Sequence, residues 1–162
     1  MPGQDDDGLD ASAWERLRIV TSATDRATFK GEFASWPSTV SLPEQHRIGL
    51  YLFAAVKCMI RFSVRGDPSE ADLKSLAARC FPDVQTVLVT HPMAVEDALR
   101  TAFRLPPIRR KLRPGELLVL NAAIARSLLD QLGTELGGIR DWVAEWWRVN
   151  ARTIHDIGVQ DH

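Results

Sequence analysis

Acidic residues recur three places after a serine or an aspartate in this chain, and that spacing predicts where helices begin. Ser12 with Glu15, Ser41 with Glu44 and Asp67 with Glu70 each set an oxygen acceptor ahead of an acid, which satisfies free N–H groups or places charge in the first turn. Prolines and glycines punctuate the rest. Arg65-Gly66-Asp67-Pro68 reads as a turn, Pro92 and Pro114 as first-turn residues, and Gly133 as a helix terminator.

Between these marks the apolar residues fall at helical spacing. Trp14, Leu17 and Val20 form one inner stripe, and Phe29, Phe33 and Trp36 form another that runs toward a break at Pro37. From Pro43 to about Val64 the apolar residues occupy nearly every face, which predicts a central helix surrounded by others. Leu73, Leu76, Ala77 and Cys80 give the next inner face, expected to end before Pro82. Val84 to Val89 is expected to be a short separate helix, although its β-branched residues also suit a strand. Val95, Ala98, Leu99, Ala102 and Phe103 follow, then Leu117 to Leu132, and a last helix after Gly137-Gly138 that reaches about Ile154. The pattern predicts an all-α fold, a compact bundle of about six to eight helices with short Pro- and Gly-marked connections.

At 162 residues one domain is expected, burying roughly two thirds of the surface of its unfolded chain without a disulfide or metal staple. Residues 1–10 read as a disordered acidic tail, 11–157 as the helical domain and 158–162 as a flexible end. The net charge of −1 excludes a strongly basic nucleic-acid binder, so any electrostatic contact has to be local. Cys58 and Cys80 sit in apolar helical segments, where a thiol acts as a small hydrophobe, and a cytoplasmic location without membrane association is expected. Sixteen arginines against four lysines fit a GC-rich bacterial genome as well as they fit anion binding.

Two groups of residues stand out as binding candidates. Arg104, Arg109, Arg110, Lys111 and Arg113 gather five positive charges beside Pro106, Pro107 and Pro114, a contact surface for phosphates or carboxylates, or else a solvated connector. Trp142, Trp146 and Trp147 share the last helix. Successive residues there point about 100° apart, so adjacent tryptophans do not both occupy one narrow stripe and one is left for a partner or for a second copy of the chain.

Chemistry-bearing patterns are weaker. His46, His91, His155 and His162 show no metal spacing, and neither metal nor cofactor is expected. His46 with Tyr51, and His91, are the only candidates for acid–base work. Phe81-Pro82-Asp83 offers the turn of a helix-turn-helix, but Gln85 and Thr86 among valines make a poor reading surface. Glu96 and Asp97 are adjacent and point apart, and Asn121 in an apolar stretch needs hydrogen-bond partners if buried. The acidic start could fold back on the basic loop. The leading expectation is a non-catalytic helical module for protein–protein interaction, an adaptor, assembly partner or regulatory subunit in a bacterial cytoplasm. The alternatives are a nucleic-acid-associated regulator that holds phosphates with residues 104–113, and a small-ligand-binding protein or enzyme with a pocket between helices.

Overall fold

Among the described residues there are seven α-helices, one 3-10 turn and no strand. A computed structural model describes residues 7–160, with side chains as far as Asn150. The helices are α1 (Ala11–Thr21), α2 (Arg26–Thr39), α3 (Leu42–Val64), α4 (Glu70–Val87), α5 (Pro92–Ala102), α6 (Pro114–Leu132) and α7 (Arg140–Gln160). The 3-10 turn Leu136–Ile139 joins the last two. The expected all-α bundle is therefore the observed one.

Two helices form the axis of the bundle. In α3, Ile48, Leu52, Val56, Met59 and Ile60 are buried, and in α6 every residue from Leu120 to Ala125 is. Each fully buried leucine or isoleucine contributes roughly 1.5–3 kcal/mol, so these helices have to be covered on all sides. Helix α3 packs on α6, α1 and α7, while α4, α5 and α1 close the other sides of α6. Gly49 faces Leu118 of α6 at ordinary contact distance, a β-carbon there lying 3.8 Å from its Cδ1.

The helix ends differ in part from expectation. Ser41 caps α3 by accepting the N–H of Glu44, as its spacing predicts. Helix α1, however, is capped by Asp10, which accepts from Ala13, and not by Ser12. Helix α4 is capped by Ser69, whose hydroxyl accepts the N–H of Asp72 while the Asp72 carboxylate accepts the N–H of Ser69. Asp67 instead pairs with Arg61. Gly133 ends α6 in the left-handed region, at φ 67°. Gly138 has a steric reason to be glycine, because a β-carbon there would meet the side-chain oxygen of Thr134.

Pro82 does not end its helix. Helix α4 runs through it to Val87, so neither a separate helix at 84–89 nor a helix-turn-helix with Phe81-Pro82-Asp83 as its turn exists. A proline inside a helix costs about 3 kcal/mol and leaves one carbonyl without its donor. Here the freed carbonyl belongs to Ala78, and both residues face solvent. Beyond the proline, Val84 and Val87 are buried and the Asp83 carboxylate accepts from the Ser127 hydroxyl of α6, contacts that hold the last turn in place. Pro37 likewise does not break its helix, since α2 runs on to Thr39.

The chain's start also departs from expectation. Leu9 is fully buried, Asp7 forms a two-pronged pair with Arg140 at 2.6 and 3.2 Å, and Asp10 pairs with Arg47. Asp7 and Asp10 thus belong to the folded body and do not reach the basic loop; Asp5 and Asp6 lie outside the described residues. Helix α7 continues past 157 to Gln160, and His162 lies outside the described residues. Leu9→Ala is expected to cost about 2–5 kcal/mol of unfolding free energy in a urea titration, the penalty of a core leucine and not of a residue in a tail.

Candidate functional site

The basic segment is an ordered loop with an interior anchor. Asp97 of α5, which is 1% exposed, turns its carboxylate toward the loop and accepts three consecutive backbone N–H groups, from Ile108 at 2.6 Å, Arg109 at 3.2 Å and Arg110 at 3.4 Å. A buried carboxylate needs such partners, because an unpaired charge there would be costly. Arg100 completes the clamp, donating to the Pro106 carbonyl at 2.6 Å and to the Glu70 carboxylate at 2.8 Å. Leu112 is buried beneath the loop. The sequence offers Asp97 only as a neighbour of Glu96 that points away from it, and the N–H groups it accepts lie eleven to thirteen residues on. Its place beside Val95, Ala98 and Leu99 on an inward stripe was the only available signal.

The anchored loop does not present five equivalent cations. Arg110 grips the Glu116 carboxylate with two bonds of 3.0 and 2.6 Å, and Arg113 reaches it at 3.2 Å. These partners hold the Glu116 carboxyl down from 4.5 to about 2, the hydrogen bond from Arg110 being the largest cause. Arg104, Arg109 and Lys111 make no ion pair among the described residues and are exposed. Arg104 takes a left-handed backbone conformation, φ 58°, where the chain turns out of α5. Phe103, the one neighbouring aromatic, is half-buried between Lys57 and Arg61, whose cationic groups lie 5.5 and 5.7 Å from its ring centre. Its face is already occupied.

The three tryptophans of α7 separate by direction. Trp147 turns inward and meets the Tyr51 ring edge-on at 5.0 Å, and Trp146 meets Phe53 at 5.9 Å. Both are half-buried against the core. Trp142 remains at the surface, 36% exposed, with its ring 5.1 Å from that of Phe62, which is 58% exposed. Val149, two turns along α7 from Trp142, is exposed as well. Phe62 lies in the last turn of α3, so this face is shared between the two helices.

Among the described residues His46 and His91 join no acid–base constellation, and the side chains of His155 and His162 lie outside the described residues. The Tyr51 hydroxyl accepts the N–H of Asp10 at 2.9 Å, beneath the Trp147 ring, and burial raises the phenol's pKa. His46 is exposed, while His91 caps α5, its Nδ1 accepting the N–H of Met93. Among the described residues no group of three or more His, Cys, Asp or Glu side chains is placed to hold a metal ion. Cys80 is buried and Cys58 half-buried, and desolvation raises the pKa of both thiols. The Asn121 Oδ1 is buried without a hydrogen-bond partner among the described residues. Among those residues, too, no helix is long and apolar enough to cross a membrane.

Two open hollows adjoin the α4–α5 connection, and one of them reaches the basic loop. One of about 560 Å³ is bounded by Arg109, Arg110, Glu116, His91 and Ala94, and a second of about 310 Å³ by Arg26, Lys30, Phe29 and Phe33. Leu88, Val89 and Val119 belong to the wall of both.

Asp97→Ala is expected to orphan three N–H groups, costing about 1–3 kcal/mol and speeding hydrogen exchange at the amides of Ile108, Arg109 and Arg110. Because the Glu116 pKa is depressed in the folded protein, its pairing is complete above about 4.5 and is lost as pH falls through about 2. A carbon-detected NMR titration of the Glu116 carboxyl is expected to show that low midpoint, and Arg110→Ala to return it toward 4.5. In comparisons with known proteins the chain matches no family model, no curated protein and no solved structure.

Proposed function

We propose that this protein is a helical interaction module that docks another protein, or a second copy of itself, through the aromatic face shared by α3 and α7. The observation that carries this reading is the exposed Phe62–Trp142 pair, with Val149 further along the same helix. Two large aromatic rings left in contact with water are unfavourable unless covered, and tryptophan is enriched where interface energy concentrates. A stable interface buries about 800 Å² on each partner, more than two rings supply, so the pair is the centre of a larger contact. An adaptor, assembly or regulatory role in a bacterial cytoplasm is the setting that suits these surfaces, with both cysteines present as free thiols.

A phosphate-binding role for the basic loop is the second reading, favoured by Arg104, Arg109 and Lys111 standing without ion partners on an anchored backbone. Three cations support a log–log salt slope of only about −2.7 on duplex DNA, against about −4.5 for the five that the sequence presents. With Phe103 occupied, no stacking platform accompanies them. The aromatic face therefore leads.

Trp142→Ala and Trp147→Ala separate surface from core. Trp142→Ala is expected to leave stability nearly unchanged while weakening association by about thirtyfold, measured by sedimentation velocity of the purified protein and by capture of partners on the immobilised chain. Trp147→Ala is expected to lose about 2–4 kcal/mol of stability by removing the ring that covers Tyr51. A protein that stays monomeric and captures the same partners with Trp142→Ala as without it overturns the reading.

A further inference from the structure

Helices α4 and α5 are joined by a stretch of bare, extended backbone. Leu88 has φ −145° and ψ 131°, His91 has φ −107° and ψ 145°, and Val89 and Thr90 between them belong to no helix or turn. The N–H groups of Val89, Thr90 and His91 have no hydrogen-bond partner among the described residues. Val89 is 78% exposed, an unusual position for a β-branched apolar residue in the strand conformation it prefers. Such a segment is an edge strand without a sheet, and edge strands recruit a second strand.

The surroundings say what kind of strand. The two hollows share Leu88, Val89 and Val119, so they adjoin along the segment and together are read as one groove. Its floor is apolar, continued by Phe33 from α2 and Ala94 from α5. Its ends are cationic. Lys30 makes no ion pair among the described residues, and Arg26 donates only to the Gln85 carbonyl, at 3.2 and 2.8 Å, which leaves its charge uncompensated. Arg109 stands free at the opposite end, held in place through its own N–H by Asp97. Glu116 is the one acid lining either hollow, and Arg110 and Arg113 already neutralise it.

We infer that the groove along Leu88–His91 docks an extended acidic peptide of another protein, which pairs its backbone with the free N–H groups of Val89 and His91, the two that point to one edge of an extended chain, and sets carboxylates against the cations at both ends. Strand addition draws affinity from main-chain bonds and selectivity from alternate side chains, which fall on one face and here meet the apolar floor. A two-stranded pairing is marginal alone, so the floor has to supply the remaining stabilisation. Phosphates would satisfy the cations but leave the N–H row and the apolar floor unused. A second copy paired through the same segment would bring Lys30 and Arg109 against their like, which opposes that arrangement. The site shares no residue with the Phe62–Trp142 face, so either proposal stands without the other.

The test is an amide NMR titration of the full chain with the acetylated heptapeptide Glu-Glu-Val-Ser-Val-Glu-Glu. Shifts are expected at the amides of Val89, Thr90 and His91, and none when lysine replaces each glutamate or when oligothymidylate is added instead. Lys30→Glu combined with Arg109→Glu, both exposed, is expected to weaken binding about tenfold. Val89→Pro removes one donor in a backbone already extended and is expected to weaken it about fivefold, read at Thr90 and His91. The inference is overturned if the lysine peptide binds equally well, if oligothymidylate moves the same amides, or if Val89→Pro binds undiminished. Concentration-dependent shifts at 88–91 without peptide would assign the groove to a second copy, and no shift at the highest soluble peptide concentration would remove the site; either result sinks the proposal.

Discussion

Helices α3 and α6 have no wide polar face, and the rest of the molecule is arranged to keep water from them. Ile48 through Ile60 on one and Leu120 through Leu129 on the other leave few solvent-facing positions, so five further helices have to enclose the pair. Enclosure by short helices needs frequent reversals, and each reversal has to run over the surface, where backbone groups find water or a side-chain partner. The two surfaces most suited to binding beyond the aromatic pair, the basic loop and the Leu88–His91 segment, are such reversals. They stand on either side of α5, a helix of only 11 residues.

Asp97 shows how a reversal acquires a fixed shape. Three N–H groups in a row on one carboxylate convert a proline-broken loop into an extension of the core, and Arg100 secures its other limb through the Pro106 carbonyl. The loop's charges are then sorted by geometry. Arg110 and Arg113 are spent on Glu116 at the start of α6, while Arg104, Arg109 and Lys111 are presented outward. Arg126 plays a similar part at the opposite corner, donating to the carbonyls of Ala23 and Asp83 and so binding the α1–α2 connection and α4 to α6.

Helix positions were readable wherever a local rule acts alone. Ser41, Pro92, Pro114 and Gly133 mark boundaries through their own backbone chemistry, and the structure keeps each of them. The misread boundaries are those where two local rules compete. Asp10 and Ser12 both stand near the start of α1 with a partner at capping distance, and Ser69 with Asp72 offers the same motif as Asp67 with Glu70, two residues on. Pro82 was misread because its cost is offset by tertiary contacts of Val84, Val87 and Asp83, which no local pattern contains. The site was less legible for the same reason. A cluster of cations is visible in sequence, but which of them are spent on Glu116, and which tryptophan faces water, depends on neighbours far along the chain. The pairing of Trp147 with Tyr51 and of Trp146 with Phe53 spans more than ninety residues in each case.

The interior anchoring of the basic loop separates what the loop is from what it shows. Its path is written in Asp97, Arg100, Pro106 and Leu112, none of which projects a free charge, while the side chains at 104, 109 and 111 carry none of that burden. Such a division makes the segment a natural display frame: foreign side chains grafted at 109 and 111 would inherit a ready-made geometry, much as a jeweller's setting holds one stone as firmly as another, while the left-handed backbone at 104 admits fewer replacements.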